Sequence, residues 1–337
     1  MTAYLLLKNI TVESANAITG ITWGFPGPAH FLGFTHALSR KLQCRLGEHI
    51  QLGGVAIICH WHQVQAYRPG GYESTFALTR NPLTKEGNTA PFNEEGRLHM
   101  RVSLLLECRF YADQLEAFDS EEQASNQDDN IRHLQNLVME LAAGQRLAGG
   151  TITHIERVLW QETDNSAEGD KAMRRLMLRL LPGYVLMDRH DVLVGHHQSR
   201  LEQNPEAQLL DSLFDFVVIK HQAEPEETAI EPIPGESKTQ WKRLKKPANG
   251  WLVPLAIGYQ GISELYEPGQ VKRSRDNTTP FRFVESTYSL GEWRSPHRIE
   301  NMNDILWRYT HQNDLYLCRS GQLVAADEST TDSIFDC

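Results

Sequence analysis

The chain has 337 residues, 40% of them hydrophobic, with 33 basic and 43 acidic side chains and a formal net charge of −10. This length and apolar content suit an ordinary soluble globular protein with one large core or two smaller ones. No apolar run approaches the roughly 18 residues that span a bilayer, which excludes a membrane-spanning helix. The opening MTAYLLLKNITV holds only a short leucine run before Lys8 and Asn9, too little for a signal segment, so a cytoplasmic protein is expected. Cys44, Cys59, Cys108, Cys318 and Cys337 form an odd set with no C-x-x-C pair, and are expected as reduced, mostly buried thiols.

The elements follow in chain order. AYLLLKNITV (3–12) has the aliphatic and β-branched content of a buried strand. Pro28 then suits a first helical turn, and Phe31, Phe34, Leu38 and Leu42 share one helical face, predicting a helix over 29–44. VAIICHWHQVQAY (55–67) and LHMRVSLLLECRF (98–110) read as the second and third strands, separated by an insertion far longer than a hairpin needs. Ile131, Leu134, Leu137, Val138 and Leu141 predict a helix over 131–147 that stops at Gly149 and Gly150, and TITHIERVLW (151–160) is the fourth strand. The order β-α-β-β-α-β is the ferredoxin-like arrangement that RNA-recognition folds also use. Beyond residue 165 the pattern gives a basic helix (171–181), a second helix (204–220), an acidic Pro-rich loop (about 221–238), and strand-like pieces broken by Gly and Pro.

The negative net charge argues at first sight against nucleic acid. Its distribution reverses that: residues 112–130 carry seven acids and no base, 202–236 nine acids and one Lys, and 326–337 four acids, so the remainder is net positive. Basic clusters stand at 171–179, 241–246 and 271–275. Acidic loops facing solvent are the expected form of 112–130 and 221–236. Phosphate-loop, dinucleotide, zinc-protease and nucleophile-elbow signatures are all missing. His60 and His62, two apart on a strand, are expected to project from one face, where a shared metal competes with ordinary hydrogen bonding. No third ligand can be placed, so no metal or cofactor is expected. His30 and His36 are the candidate acid-base groups.

In AAGQRLAGG (142–150), Gly149 and Gly150 would let a phosphate backbone approach, with Arg146 offering a guanidinium fork. A helix cap and tight turn explain the same glycines equally well. Arg80 and Asn81 lie in the long insertion as candidate contacts. The RNP1 pattern of RNA-recognition modules is missing, so loops rather than the sheet surface are expected to carry RNA.

Eight blocks occur in order between residues 4 and 319: ITWGFPGPAHFLGFTHAL, GVAIICH, LTRNPL, EEGRLHMRVSLLLE, RLAGG, RLMLRLLPGYVL, GWLVPLAIGY and PFRFVESTYSLGEWRSPHR. Together they resemble the second Csy subunit of type I-F CRISPR surveillance complexes, the Cas-five-like member that holds the 5′ handle of the CRISPR RNA. The resemblance implies an α+β fold. Residues 1–165 would form a modified ferredoxin-like (RRM-like) body with a thumb at 68–97, and residues 166–337 a C-terminal α/β extension packed on it. It implies no catalysis and no cofactor. Its implied partners are the CRISPR RNA handle, the large Csy subunit as heterodimer, the backbone subunit, and target double-stranded DNA through the assembled complex. A helix N-terminus after the WGFP turn, with Trp23 or Phe25 to stack on a base, is the expected handle surface, although both rings could equally plug the core. His36, Arg282, Arg294, His297 and Arg298 complete the expected RNA contacts. The competing enzyme reading is a metal-independent endoribonuclease with His30 or His36 as base.

Overall fold

The computed structural model describes residues 2–71, 73–80, 83–90, 92–115, 127–164, 166–225 and 239–321. It is a mixed α and β protein with five helices and a large antiparallel sheet among those residues. Two compact units emerge: residues 1–188, 255–288 and 294–337 in the first, and residues 189–254 and 289–293 in the second.

The first unit holds strands β1 (Thr2–Asn16), β2 (Ile18–Thr19) and β3 (Thr22–Trp23), then α1 (Pro28–Leu46). Strands β4 (Leu52–Val64), β5 (Ala66–Tyr67), β6 (Thr75–Arg80), β7 (Phe92–Glu95) and β8 (Arg97–Cys108) follow. Next come α2 (Gln127–Ala143), β9 (Arg146–Leu147), β10 (Gly150–Thr163), α3 (Ala167–Leu178) and β11 (Tyr184–Asp188). After the second unit's α4 (His190–Gln203), α5 (Leu209–Val217), β12 (His221–Pro225) and β13 (Thr239–Arg243), the chain forms β14 (Leu252–Gly261), β15 (Val284–Arg294), β16 (Arg308–Gln312) and β17 (Leu315–Arg319). The main sheet runs β16-β17-β14-β15-β11-β4-β8-β1-β10-β9, while β5, the end of the predicted second strand, joins β6 and β7 of the long insertion in a separate three-stranded sheet.

β1 is apolar without alternation because both faces of the sheet are covered along its first half. Leu5, Leu6 and Leu7 are fully buried, each contributing about 2 kcal/mol of transfer free energy. Tyr4 and Leu6 lie in one core with Ile58, Leu105 and, from α3, Met173, Leu176 and Met177. Alternation turns Leu5 and Leu7 to the opposite face, where α1 packs on β4 and α2 on β10. At Asn9 the backbone turns to φ 50° and the pairing with β8 skips from Leu7 to Ile10. Past that bulge Ile10 and Val12 stay buried on the helix side while Glu13 is exposed.

The predicted elements are present with shifted ends. α1 begins at Pro28 behind an extended Gly27 and buries Phe31, Phe34, Leu38 and Leu42 as expected. α2 starts and ends four residues before its predicted limits and buries Asn130, Leu134, Val138 and Ala142. Arg146 and Leu147, predicted as its last turn, pair instead with Thr151 and Gly150 in a hairpin. Asp128 and Asp129, expected in a loop, lie in the first turn of α2, where carboxylates oppose the helix dipole favourably. The predicted helix 204–220 shortens to α5, because Asn204-Pro205 and the turn after it are not helical and instead end α4, whose residues 190–203 were not predicted as a helix. Residues 221–225 of the predicted acidic loop are strand β12, and residues 226–238 lie outside the described residues. Cys59, Cys108 and Cys318 are buried thiols and Cys44 is exposed; Cys337 lies outside the described residues.

In the second unit α4 and α5 are clamped by one carboxylate. Asp215 accepts from His196 Nε2 at 2.7 Å, Arg200 Nη1 at 2.7 Å and Lys220 Nζ. Burial pushes its pKa up, but the hydrogen bonds from Lys220, His196 and Arg200 prevail and hold it at about 2. His197 Nδ1 also meets Ser212 Oγ at 3.0 Å.

Candidate nucleic-acid interface

Several of the expected contacts gather at one end of the sheet in the first unit. There β1 ends, and the Asn16 N–H donates to Ala148 O at 2.8 Å, joining it to the β9–β10 turn. Ala17 N–H donates to Gly96 O at 2.9 Å and Gly24 N–H to Ala17 O at 2.7 Å, so the β2–β3 hairpin sits on the root of the insertion. Trp23 closes that hairpin opposite Ile18 and is 52% exposed, with Phe76 of β6 edge-on to it at 5.5 Å. Phe25 is half-buried, stacked on Phe31 at 5.6 Å and edge-on to His62 at 5.8 Å. The two rings therefore separate: Phe25 packs against α1, and Trp23 faces outward.

In the β9–β10 turn Ala148 and Gly149 both have positive φ, 50° and 76°. A Cβ on Gly150 would lie 2.7 Å from Glu13 O, so the absence of a side chain there is needed for the turn to lie against β1. Gly149 faces open space, and the Arg146 guanidinium reaches back to its carbonyl at 3.5 Å. An exposed cation beside an open glycine turn is chemically suited to a phosphate oxygen.

His36 lies half-buried in mid-α1, where burial and then Arg40 lower its pKa. Arg80 ends β6 opposite Phe92, and Asn81 lies outside the described residues. Arg282 is held within the protein, its Nε on Ser263 O at 2.7 Å and its Nη2 on Asp314 at 2.8 Å. Arg294 ends β15, and His297 and Arg298 occupy a 3-10 turn (Pro296–Arg298) that packs against α3, away from the Trp23 cluster in sequence and sheet order. His297 Nδ1 meets Ser295 Oγ at 2.8 Å.

The histidine pair departs from expectation. A bulge between Cys59 and Trp61 shifts the register, so His60 and His62 project from opposite faces and share no site. Pro182 O can only accept, so His60 Nδ1 donates to it at 2.7 Å, and Nε2 accepts from the Ser103 hydroxyl at 2.7 Å. Ser103 Oγ in turn accepts the Asn9 N–H at 2.9 Å. Burial lowers the pKa of both histidines. Among the described residues no three His, Cys, Asp or Glu side chains come together as a metal site.

Sequence reasoning passed over Phe76, Tyr288 and Trp61. Tyr288 of β15 reaches the β2–β3 hairpin, its hydroxyl accepting the Ile21 N–H at 3.2 Å, a pairing 267 positions apart that no local pattern carries. Trp61 was hidden by the bulge, which puts it on the outer face, 47% exposed.

Comparison with known proteins bears directly on these motifs. The family model described as CRISPR-associated protein (Cas_Csy2) matches residues 5–318. CRISPR-associated protein Csy2 of Pseudomonas aeruginosa (strain UCBPP-PA14) is 40% identical over 329 residues, covering 94% of each chain. With a family match over nearly its whole length and a relative this similar, the chain belongs to the Csy2 family of CRISPR-associated proteins.

Proposed function

We propose that this chain is a non-catalytic subunit of the type I-F CRISPR surveillance complex that binds the 5′ handle of CRISPR RNA together with the large Csy subunit. Family membership across residues 5–318 carries the reading. The sheet end adds chemistry in its support: exposed Trp23 for a base, Arg146 beside the open Gly149 turn for a phosphate, and the 68–97 insertion with β6 and β7 as the thumb. The strand order β10-β1-β8-β4, with α1 and α2 on one face, supports a ferredoxin-like body in residues 1–165, with residues 166–337 as its extension. The backbone Csy subunit and target double-stranded DNA are further partners through the assembled complex, and guide pairing reads the target sequence. No observation favours the endoribonuclease alternative.

Co-expression of the chain with the large subunit and a CRISPR RNA, followed by sequencing of the RNA that copurifies, tests this. A protein pair carrying a protected 5′ handle is expected. A pair without RNA, or a repeat newly cut by this chain alone, overturns it.

A further inference from the structure

The sheet of the first unit has two faces, one of them lined by α1 and α2. On the side away from α1 and α2, α3 covers Leu6, Ile58 and Leu105. The bonded series Asn9–Ser103–His60–Pro182 marks the limit of that cover. Beyond it one row of residues runs across four strands: Trp61 pairs with Arg101, Arg101 with Thr11, and Thr11 with His154. At the usual strand spacing the row is about 14 Å across. Directly opposed cross-strand residues share a face, so Trp61 and Arg101 stand side by side on it.

The charges on and beside this face leave a surplus of cations. Arg101 is exposed, and its guanidinium makes no hydrogen bond or ion pair among the described residues. Glu156, the carboxylate within the face, is already held by Lys8 at 3.4 Å, Arg157 at 2.8 Å and the Asn9 amide. The bordering α3 exposes Lys171, Arg174 and Arg175, and Arg179 caps its C-terminus, none of them ion-paired among the described residues, against Glu168 and Asp170 in its first turn. Exposed Glu13 is the acid at the opposite limit, toward the β9–β10 turn.

We propose that this open sheet face is a second RNA contact, in which Trp61 stacks on an unpaired base and Arg101 holds an adjacent phosphate, with the α3 cations guiding the strand. The proposal rests on the RNA-binding reading above and extends it from the sheet end to the sheet face. Single-stranded RNA is the occupant because an exposed indole beside an unpaired guanidinium offers a ring for a base and a charge for its backbone, whereas a duplex hides its base faces. No RNP1 pattern is needed for this, since the bulge after Cys59 places Trp61 outward.

The test is a fluorescence-anisotropy titration of the full-length chain with a fluorescein-labelled single-stranded RNA carrying the repeat 5′ handle and ten further uridines. Trp61→Ala is expected to weaken binding about 5- to 50-fold, Trp61→Phe to restore most of it, and melting temperatures to stay near wild type. Arg101→Gln is expected to weaken binding and to lower the salt slope by about 0.7. Crosslinking of 4-thiouridine in the same probe to wild-type protein is expected on peptides containing residues 61 or 101. Loss of affinity in Trp23→Ala and Arg146→Ala but not in Trp61→Ala and Arg101→Gln overturns the sheet-face contact and leaves handle binding intact. Failure of the wild-type chain to bind, alone and with the large subunit, overturns both. Release of a partner subunit by Trp61→Ala with unchanged RNA affinity shows a protein-docking face and overturns the proposal.

Discussion

Arg308 grips Glu107 with two hydrogen bonds, Nε to Oε2 at 3.0 Å and Nη2 to Oε1 at 2.6 Å, across 201 positions of chain. The same carboxylate accepts the Gly54 N–H at 3.0 Å, so one side chain fastens β4, β8 and β16 together. Burial pushes the Glu107 pKa up, but Arg308 and the Gly54 N–H outweigh it and hold it below the ordinary glutamate value. Glu107→Gln is expected to cost about 2 kcal/mol at neutral pH, because it leaves a partly buried guanidinium short of its counter-charge. A carboxyl whose folded pKa is depressed stabilises fully above its unfolded value near 4.3 and loses that contribution as pH falls through the folded value. The melting-temperature gap between wild type and variant should hold from pH 7 to about pH 5 and close below about pH 4. A gap that persists into the acid limb would refute this assignment.

Four histidines act in the same direction along the pH axis, in a window nearer neutral. Burial lowers the pKa of His30, His36, His60 and His62 in the folded chain. The unfolded chain takes up these protons near pH 6.5 and the folded chain does not, so stability is full above that pH and falls below it. Each group removes at most about 1.4 kcal/mol per pH unit in that window. Thermal melts at pH 7.5 and 5.5 should therefore differ by several degrees, with the lower value in acid. A flat profile would mean the rings are protonated in the native state.

How far the sequence carried is clearest at particular residues. The buried strands and α1 were legible because Leu5 to Leu7 and the Phe31, Phe34, Leu38, Leu42 stripe are packed on the main core, where burial and periodicity coincide. α4 was not: Leu193 is its one fully buried apolar side chain, so HDVLVGHHQSRLEQ carries almost no stripe. Of the candidate site, Trp23 and Arg146 were visible as unusual residues beside glycines. Their neighbours Phe76 and Tyr288 were not, because sheet order rather than spacing brings them there. The reversal of His60 and His62 came from one extra residue in a strand, which strict alternation cannot anticipate.

The α4–α5 clamp makes a prediction confined to the second unit. Asp215→Asn keeps the shape of the side chain but removes the charge that His196, Arg200 and Lys220 share. With Lys220 half-exposed, solvent screening limits the expected loss to about 1–2 kcal/mol. Limited proteolysis at neutral pH should then cut between residues 203 and 209 faster than in wild type. Unchanged cleavage would show that the apolar contacts of Leu213 and Phe216, both buried, hold the pair without the clamp.

The two glycines of the β9–β10 turn separate structure from function. At Gly150 a methyl group would meet Glu13 O at 2.7 Å and Ala15 N at 2.8 Å, and strand backbone cannot move aside, so Gly150→Ala is expected to cost about 2–3 kcal/mol and lower the melting temperature. At Gly149 the same methyl meets nothing within 4 Å, leaving only the strain of φ 76°, about 1 kcal/mol. Gly149→Ala should therefore fold. If the handle phosphate approaches this turn beside Arg146, the added methyl stands in its path, and the variant should lose RNA affinity several-fold in the same anisotropy titration while melting close to wild type. Wild-type affinity in Gly149→Ala would leave both glycines explained by the turn alone and would move the phosphate away from Arg146.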